Sequence, residues 1–133
     1  MEDIRYLSVQ EIIAINVALI KRYSPGELLG VKDGTLLESA ALRPQSSAFG
    51  EDSYPALFEK AAALFESLGQ NHPFHNANTR TAFVALVMFL RYNGYSFEME
   101  QKTAEDWTVN MVNHAYPFRE LTRIIKEHSK NLS

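Results

Sequence analysis

The ten residues from Thr81 to Leu90, TAFVALVMFL, contain one hydroxyl and otherwise only apolar side chains. A helix that is apolar all round has to be buried on every side, and this run is far short of the ~20 residues that a membrane span requires. It is expected to form a central core helix over about 79–92, with Gly94 just beyond it. Upstream lies a second helix, expected over about 55–69, with Pro55 in its first turn and Gly69 at its end. Between the two comes His72-Pro73-Phe74-His75-Asn76-Ala77-Asn78-Thr79-Arg80. A connection between buried helices needs turn residues such as Pro and Asn. Two histidines and an arginine are not needed to make a turn.

The rest of the chain also reads as helices. Ser8-Val9-Gln10-Glu11 has capping-box spacing and opens a helix over about 9–23, ended by Ser24-Pro25-Gly26. Thr35 to Glu38 repeats the capping pattern before a short helix to about 42. Arg43 to Pro55, RPQSSAFGEDSYP, lacks helical periodicity and is expected to form an exposed flap or short hairpin. Tyr95 to Met99 alternates like a short extended piece. Thr103 is expected to cap a helix over about 104–115, and Pro117 to open a last one over about 117–129. Phe83, Leu86, Val87, Phe89 and Leu90 are core candidates, with Trp107 and Tyr116 closing the last helices onto them. The charges of Glu120 to Lys130 fit a solvated face. Without repeats or a linker, residues 1–133 are expected to form a single all-α domain.

Composition narrows the partners. A formal net charge of −3 with scattered basic residues provides no basic stripe, so nucleic acid is not an expected partner. The chain has no cysteine, hence neither disulfides nor thiolate sites. MEDIRYLSVQ has no uninterrupted apolar core and does not read as a signal peptide. A cytoplasmic protein with no membrane association is the expectation.

The polar loop carries the chemistry. The first N–H groups of a helix have no intrahelical partners and sit at the positive end of the macrodipole, which suits a phosphate. Asn76, Ala77, Asn78 and Thr79 are small enough to admit one, and Arg80 can add a bidentate contact. His72 supplies an imidazole, the side chain most often used as a general base. Together they suit transfer of a phosphorus group onto a hydroxyl. His72 and His75 fall short of the three or four ligands of a zinc site, and His75 is expected to touch solvent or target.

His-Pro-Phe, two variable residues, a small residue, Asn, one more residue and Arg resembles the core motif of the Fic/Doc family, most closely its death-on-curing (Doc) branch. Asp33 to Ala40 with Arg43-Pro44, Phe58 to Ala62 and Phe89 to Tyr95 are similar to that branch too. The resemblance implies a compact helical fold that uses ATP with Mg²⁺. Fic relatives transfer AMP to a protein hydroxyl. Doc relatives transfer the terminal phosphate, with translation elongation factor Tu as target, and are toxins restrained by a small antitoxin chain. By matching position, His72 would deprotonate the acceptor hydroxyl and Phe74 would anchor the loop. Asn78, through its amide, and Arg80 would hold the phosphates, and Asn76 falls at the metal position. Ser46, Ser47 and Phe49 lie where the family has a flap that aligns the target peptide.

Three positions depart from the family pattern. Asn76 replaces the usual acidic residue, and an amide oxygen brings no charge to a hard cation. Thr79 stands where AMP-transferring members have Gly and Doc-type members often have Lys. Arg80-Thr81-Ala82-Phe83 lacks the second arginine of the AMP-transferring members. The last two favour phosphate transfer over AMP transfer, whereas Asn76 leaves open a catalytically silent module that binds an antitoxin. The family's self-inhibitory motif has only near misses, Ser47 to Asp52 and Ser96 to Gln101, so restraint is expected from a separate chain.

Overall fold

The computed structural model describes residues 3–133 and shows six α-helices with two short β-ribbons among them. In chain order these are α1 (Val9–Tyr23), α2 (Gly34–Leu42), a 3-10 turn (Arg43–Gln45), β1 (Ser47–Ala48) and β2 (Glu51–Asp52). There follow α3 (Leu57–Asn71), α4 (Asn78–Tyr92), β3 (Tyr95–Phe97), α5 (Gln101–Val112), α6 (Phe118–Glu127) and β4 (Ser129–Asn131). The all-α expectation holds, and the flap is a hairpin in which Ser47 pairs with Asp52 and Ala48 with Glu51. Its turn residues, Phe49 and Gly50, both have positive φ, 55° and 79°. Two such residues in succession match the twist of antiparallel strands.

The most enclosed helix is α3 rather than α4. Nine residues of α3 are buried, against six of α4. Ala61, Ala62 and Ala63 occupy three faces of α3 with small side chains, so α2, α4, α5 and α6 can all approach it closely. α4 lies along α3 and carries α1 on its other side, and its own surface includes the exposed Arg80, Arg91 and Tyr92. Gly69 does not end α3. It lies inside the helix, where an added Cβ would come within 2.5 Å of the Met111 side chain, so its smallness admits α5.

Trp107 on α5 stacks against Phe65 of α3 at 4.6 Å and Phe97 of β3 at 5.6 Å, closing the C-terminal half onto the core. β3 finds its partner at the end of the chain, where Tyr95 pairs with Asn131 and Phe97 with Ser129. Residues 129–131 are therefore strand rather than a continuation of the last helix, which stops at Glu127.

Helix starts separate two kinds of cap. Ser8 and Glu11 form the full capping box expected of them. α2 starts two residues earlier than the Thr35 pattern implied, because the Asp33 carboxylate accepts from Leu36 N–H at 3.0 Å. α5 likewise starts at Gln101, capped by Glu100 instead of Thr103. Both corrections have one cause: a carboxylate oxygen at the extended position outcompetes a hydroxyl two or three residues later.

The Glu11 carboxyl is held below its ordinary value, first by the Ser8 backbone N–H and then by Arg5 at 2.9 Å. A lowered folded-state value adds stability that is complete above the unfolded carboxylate range and is lost as pH falls through the folded one. Glu11→Gln is expected to flatten the acid limb of stability in the window from the unfolded carboxylate range down through the lower folded value, measured by urea unfolding at a series of pH values.

Candidate active site

The residues between α3 and α4 reverse the chain in the space of one short loop. His72, which caps α3, and Ala77, which precedes α4, both sit in the left-handed region, at φ 49° and 61°. A non-glycine residue there is costly and persists only where the surroundings enforce it. Three sets of contacts do so. Phe74 is driven into the core and is almost wholly buried. The Asn78 amide grips its backbone from both sides: Oδ1 accepts from Phe74 N–H and Nδ2 donates to Phe74 C=O, each at 2.9 Å. The α1–α2 connection then clamps the outside of the loop. Lys32 and Asp33 N–H donate to Pro73 C=O at 2.8 and 3.0 Å, His75 N–H to Gly30 C=O at 3.1 Å, and Asn76 Nδ2 to Leu28 C=O at 3.0 Å.

From beneath, Asn16 of α1 completes the enclosure. It is fully buried, and its Nδ2 donates to Asn76 C=O at 2.9 Å and to Thr81 Oγ1 at 3.1 Å. Its Oδ1 accepts no hydrogen bond among the described residues. Asn16 thus couples α1, the loop and the first turn of α4. The signal for it was a lone amide within the apolar EIIAINVALI stretch.

Such a frame leaves the start of α4 open. Its N-cap is Ala77, which has no side chain able to cap, so the first N–H groups of α4 are not satisfied by any side chain. Asn76, Ala77, Asn78, Thr79 and Arg80 all line one cleft of about 760 Å³, walled by α1 and α5. Arg80 is exposed, has no carboxylate partner among the described residues and rests 4.3 Å from the Tyr23 ring centroid, a cation–π contact that holds it at this cleft. The cleft wall also includes the carboxylates of Glu27 and Glu105. The positive groups are therefore local to the α4 start, and an anion would be directed there.

The sequence-selected residues separate into two groups. His72 is exposed and stands at the α3 end of the loop, outside the cleft lining, while Asn76 to Arg80 form one wall. The Asn78 amide is spent on Phe74, which makes its side chain a brace for the loop. Among the described residues no three His, Cys, Asp or Glu side chains gather as a preformed metal site. A Mg²⁺ carried by phosphates needs only one or two protein oxygens. Asn76 fits that need, because it lines the cleft and its side-chain amide is engaged only through Nδ2, which leaves Oδ1 without a protein partner among the described residues. Ser46, Ser47 and Phe49 lie apart from this wall, on the flap, and Phe49 is fully exposed at its tip.

The sequence profile of the Fic/DOC family matches residues 6–90, from just before α1 to the last turn of α4. The chain belongs to the Fic/Doc family. Two relatives place it with the Doc branch. Toxin Doc of Mycolicibacterium smegmatis (strain ATCC 700084 / mc(2)155) is 43% identical over 83 residues, 61% of this chain and 64% of that protein. Protein kinase doc of Escherichia phage P1 is 37% identical over 90 residues, 68% of this chain and 69% of the phage protein. The match thus spans just under two thirds of the mycobacterial relative. Within this Fic/Doc chain, α1 to α4 hold the whole loop and its braces, and α5 and α6 lie beyond the family match.

Asn16→Ala is expected to leave Asn76 C=O and Thr81 Oγ1 without their donor and to cost about 1–3 kcal/mol. Chemical denaturation measures this, and an unchanged midpoint would show that the loop does not depend on α1.

Proposed function

We propose that this protein transfers the terminal phosphate of ATP to a Ser or Thr hydroxyl of a cytoplasmic protein, and that a small antitoxin chain restrains it. The observation that carries this is the uncapped start of α4, with Arg80 on its first turn and His72 on the same loop, in a Doc-branch chain. The backbone N–H groups of α4 and the Arg80 guanidinium bind the phosphates, and Asn78 holds the loop in shape by its grip on Phe74. Asn76 Oδ1 would hold Mg²⁺, which supplies charge neutralisation for the phosphates. His72 takes the proton of the acceptor hydroxyl as its oxygen bonds to the γ-phosphorus. The bond from that phosphorus to the β-phosphate oxygen breaks, and ADP leaves. His72 is exposed, so its ring is open to the incoming hydroxyl.

The flap supports a protein acceptor over a small one. Its strands are exposed, its tip Phe49 is bare, and one edge of a two-stranded ribbon is open to an extended segment. Elongation factor Tu is the acceptor to test first, with the resemblance to the Doc branch as its support.

The deciding experiment incubates purified protein and bacterial lysate, or purified elongation factor Tu, with ATP labelled at the γ- or the α-phosphate. Protein-bound γ-label without α-label is expected, and His72→Ala should abolish it. Protein-bound α-label under the same control would instead identify AMP transfer. Absence of both labels would favour a silent antitoxin-binding module, to which the neutral Asn76 points. Arg80→Ala is expected to lower kcat/KM by a factor of about 10²–10³, in line with removal of one preorganised charge-stabilising group. An unchanged value would remove Arg80 from the phosphate site.

A further inference from the structure

Lys60 occupies a position on α3 that is as enclosed as those of its apolar neighbours, with 3% of its surface exposed. Its ammonium group pairs with Asp52 of β2 at 3.3 Å, donates to Pro44 C=O at 3.4 Å and lies 5.9 Å from the Tyr6 ring centroid. Asp52 itself is on the exposed hairpin. A second cation works from the other side. Arg43 Nε donates to Tyr54 Oη at 2.9 Å, and its Nη1 donates to Glu66 Oε1 at 2.8 Å, Ser67 Oγ at 2.9 Å and Ala63 C=O at 3.3 Å. Both ends of the flap are thereby fastened to α3.

Apolar support lies beside the strands rather than in them: Pro44 is buried before β1, and Tyr54 packs on Phe118 of α6 at 5.4 Å after β2. All four strand residues are exposed, and Ser53 N–H to Ser46 C=O at 2.8 Å extends the ladder by one bond. A lone ribbon of this size has no independent stability in water. Its position therefore depends on what holds its two ends: Lys60 on β2, and Arg43 with the Tyr54–Phe118 pair it lies against. A buried lysine is also a poor stabiliser, since an apolar side chain of similar length is often neutral or better at such a site. Stability alone does not account for Lys60.

We propose that Lys60, together with Arg43, is a positioning residue that fixes the Phe49 hairpin relative to His72 and so orients the acceptor protein. The role rests on the phosphotransfer proposed above. Its physical basis is that one helix carries both parts. His72 caps α3, and Lys60 sits twelve residues before it, roughly 18 Å along the axis at 1.5 Å per residue. A rigid helix transmits the placement of the hairpin to the base, and neither Lys60 nor Asp52 lines the nucleotide cleft.

The test uses the full chain with Lys60→Met, Asp52→Asn and the double variant, and two readouts. The first is chymotryptic cleavage after Phe49 under native conditions, mapped by mass. The second compares KM for the acceptor protein with KM for ATP. Lys60→Met is expected to be cleaved about fivefold faster or more and to raise the acceptor KM about tenfold, with the ATP KM unchanged. Asp52→Asn should shift both readouts the same way, and the double variant should add little to Lys60→Met, because the two residues form one contact. Cleavage and acceptor KM at wild-type values would overturn the proposal. Equal rises in both KM values would also overturn it, by reducing Lys60 to a general structural role. Should Lys60→Met fail to fold, Asp52→Asn carries the test, since it changes only an exposed carboxylate. Should the wild-type protein transfer no phosphate, the function is wrong, and the cleavage arm still decides whether Lys60 holds the hairpin.

Discussion

The burial of Phe74 against the packed pair α3 and α4 is the constraint on which the site depends. Two helices that must lie side by side leave the chain few residues in which to reverse. Phe74 fills the space at the turn and pulls the loop inward, and the Asn78 amide holds that residue's backbone from both sides. His72 and Ala77, on either side of this buried ring, hold left-handed conformations that the braced loop enforces. What remains outside is a helix start without a capping side chain and a histidine turned to solvent. Strain at the loop ends and exposed polar groups between them are thus two consequences of one packed aromatic.

Asn16 and the α1–α2 connection show how the rest of the N-terminal half serves the same loop. Five hydrogen bonds from residues before α2 or within α1 reach Pro73, His75 and Asn76. Each satisfies a backbone or amide group that a tight loop would otherwise leave unpaired, at the cost of ordering the connection. The same economy governs the flap, where two cations from outside the strands and the Tyr54–Phe118 contact at its end serve in place of the hydrophobic layer that a larger sheet would have. An ionic anchor fixes direction more narrowly than an apolar one, because its hydrogen bonds require particular angles.

Much of this was legible in the residues. The apolar period placed α1, α3, α4 and α6 within about two residues of their observed limits, and the Pro- and Ser-rich stretch gave the hairpin. The Ser8–Glu11 box formed as its spacing required. What misled were local signals with near rivals: Thr35 and Thr103 look like caps, but Asp33 and Glu100 lie at better positions. Gly69 looks like a stop signal, and only the approach of Met111 shows that it is a contact residue. The C-terminal strand could not be read at all, because Ser129 to Asn131 take extended form only by pairing with Tyr95 to Phe97, more than thirty residues away.

By itself the sequence determined that His72, Asn76, Asn78 and Arg80 lie near one another, since they fall within nine positions and any fold would keep them close. It also determined the all-α class, through periodicities that act within a single helix. Tertiary structure alone decided how those residues divide their work. The Asn78 amide turned inward because Phe74 was there to bind, Arg80 came to rest on Tyr23 of another helix, and Asn16 and Lys60 gained partners 60 and 8 residues distant. Such pairings depend on which helix faces meet, and that is set by the packing of the whole core.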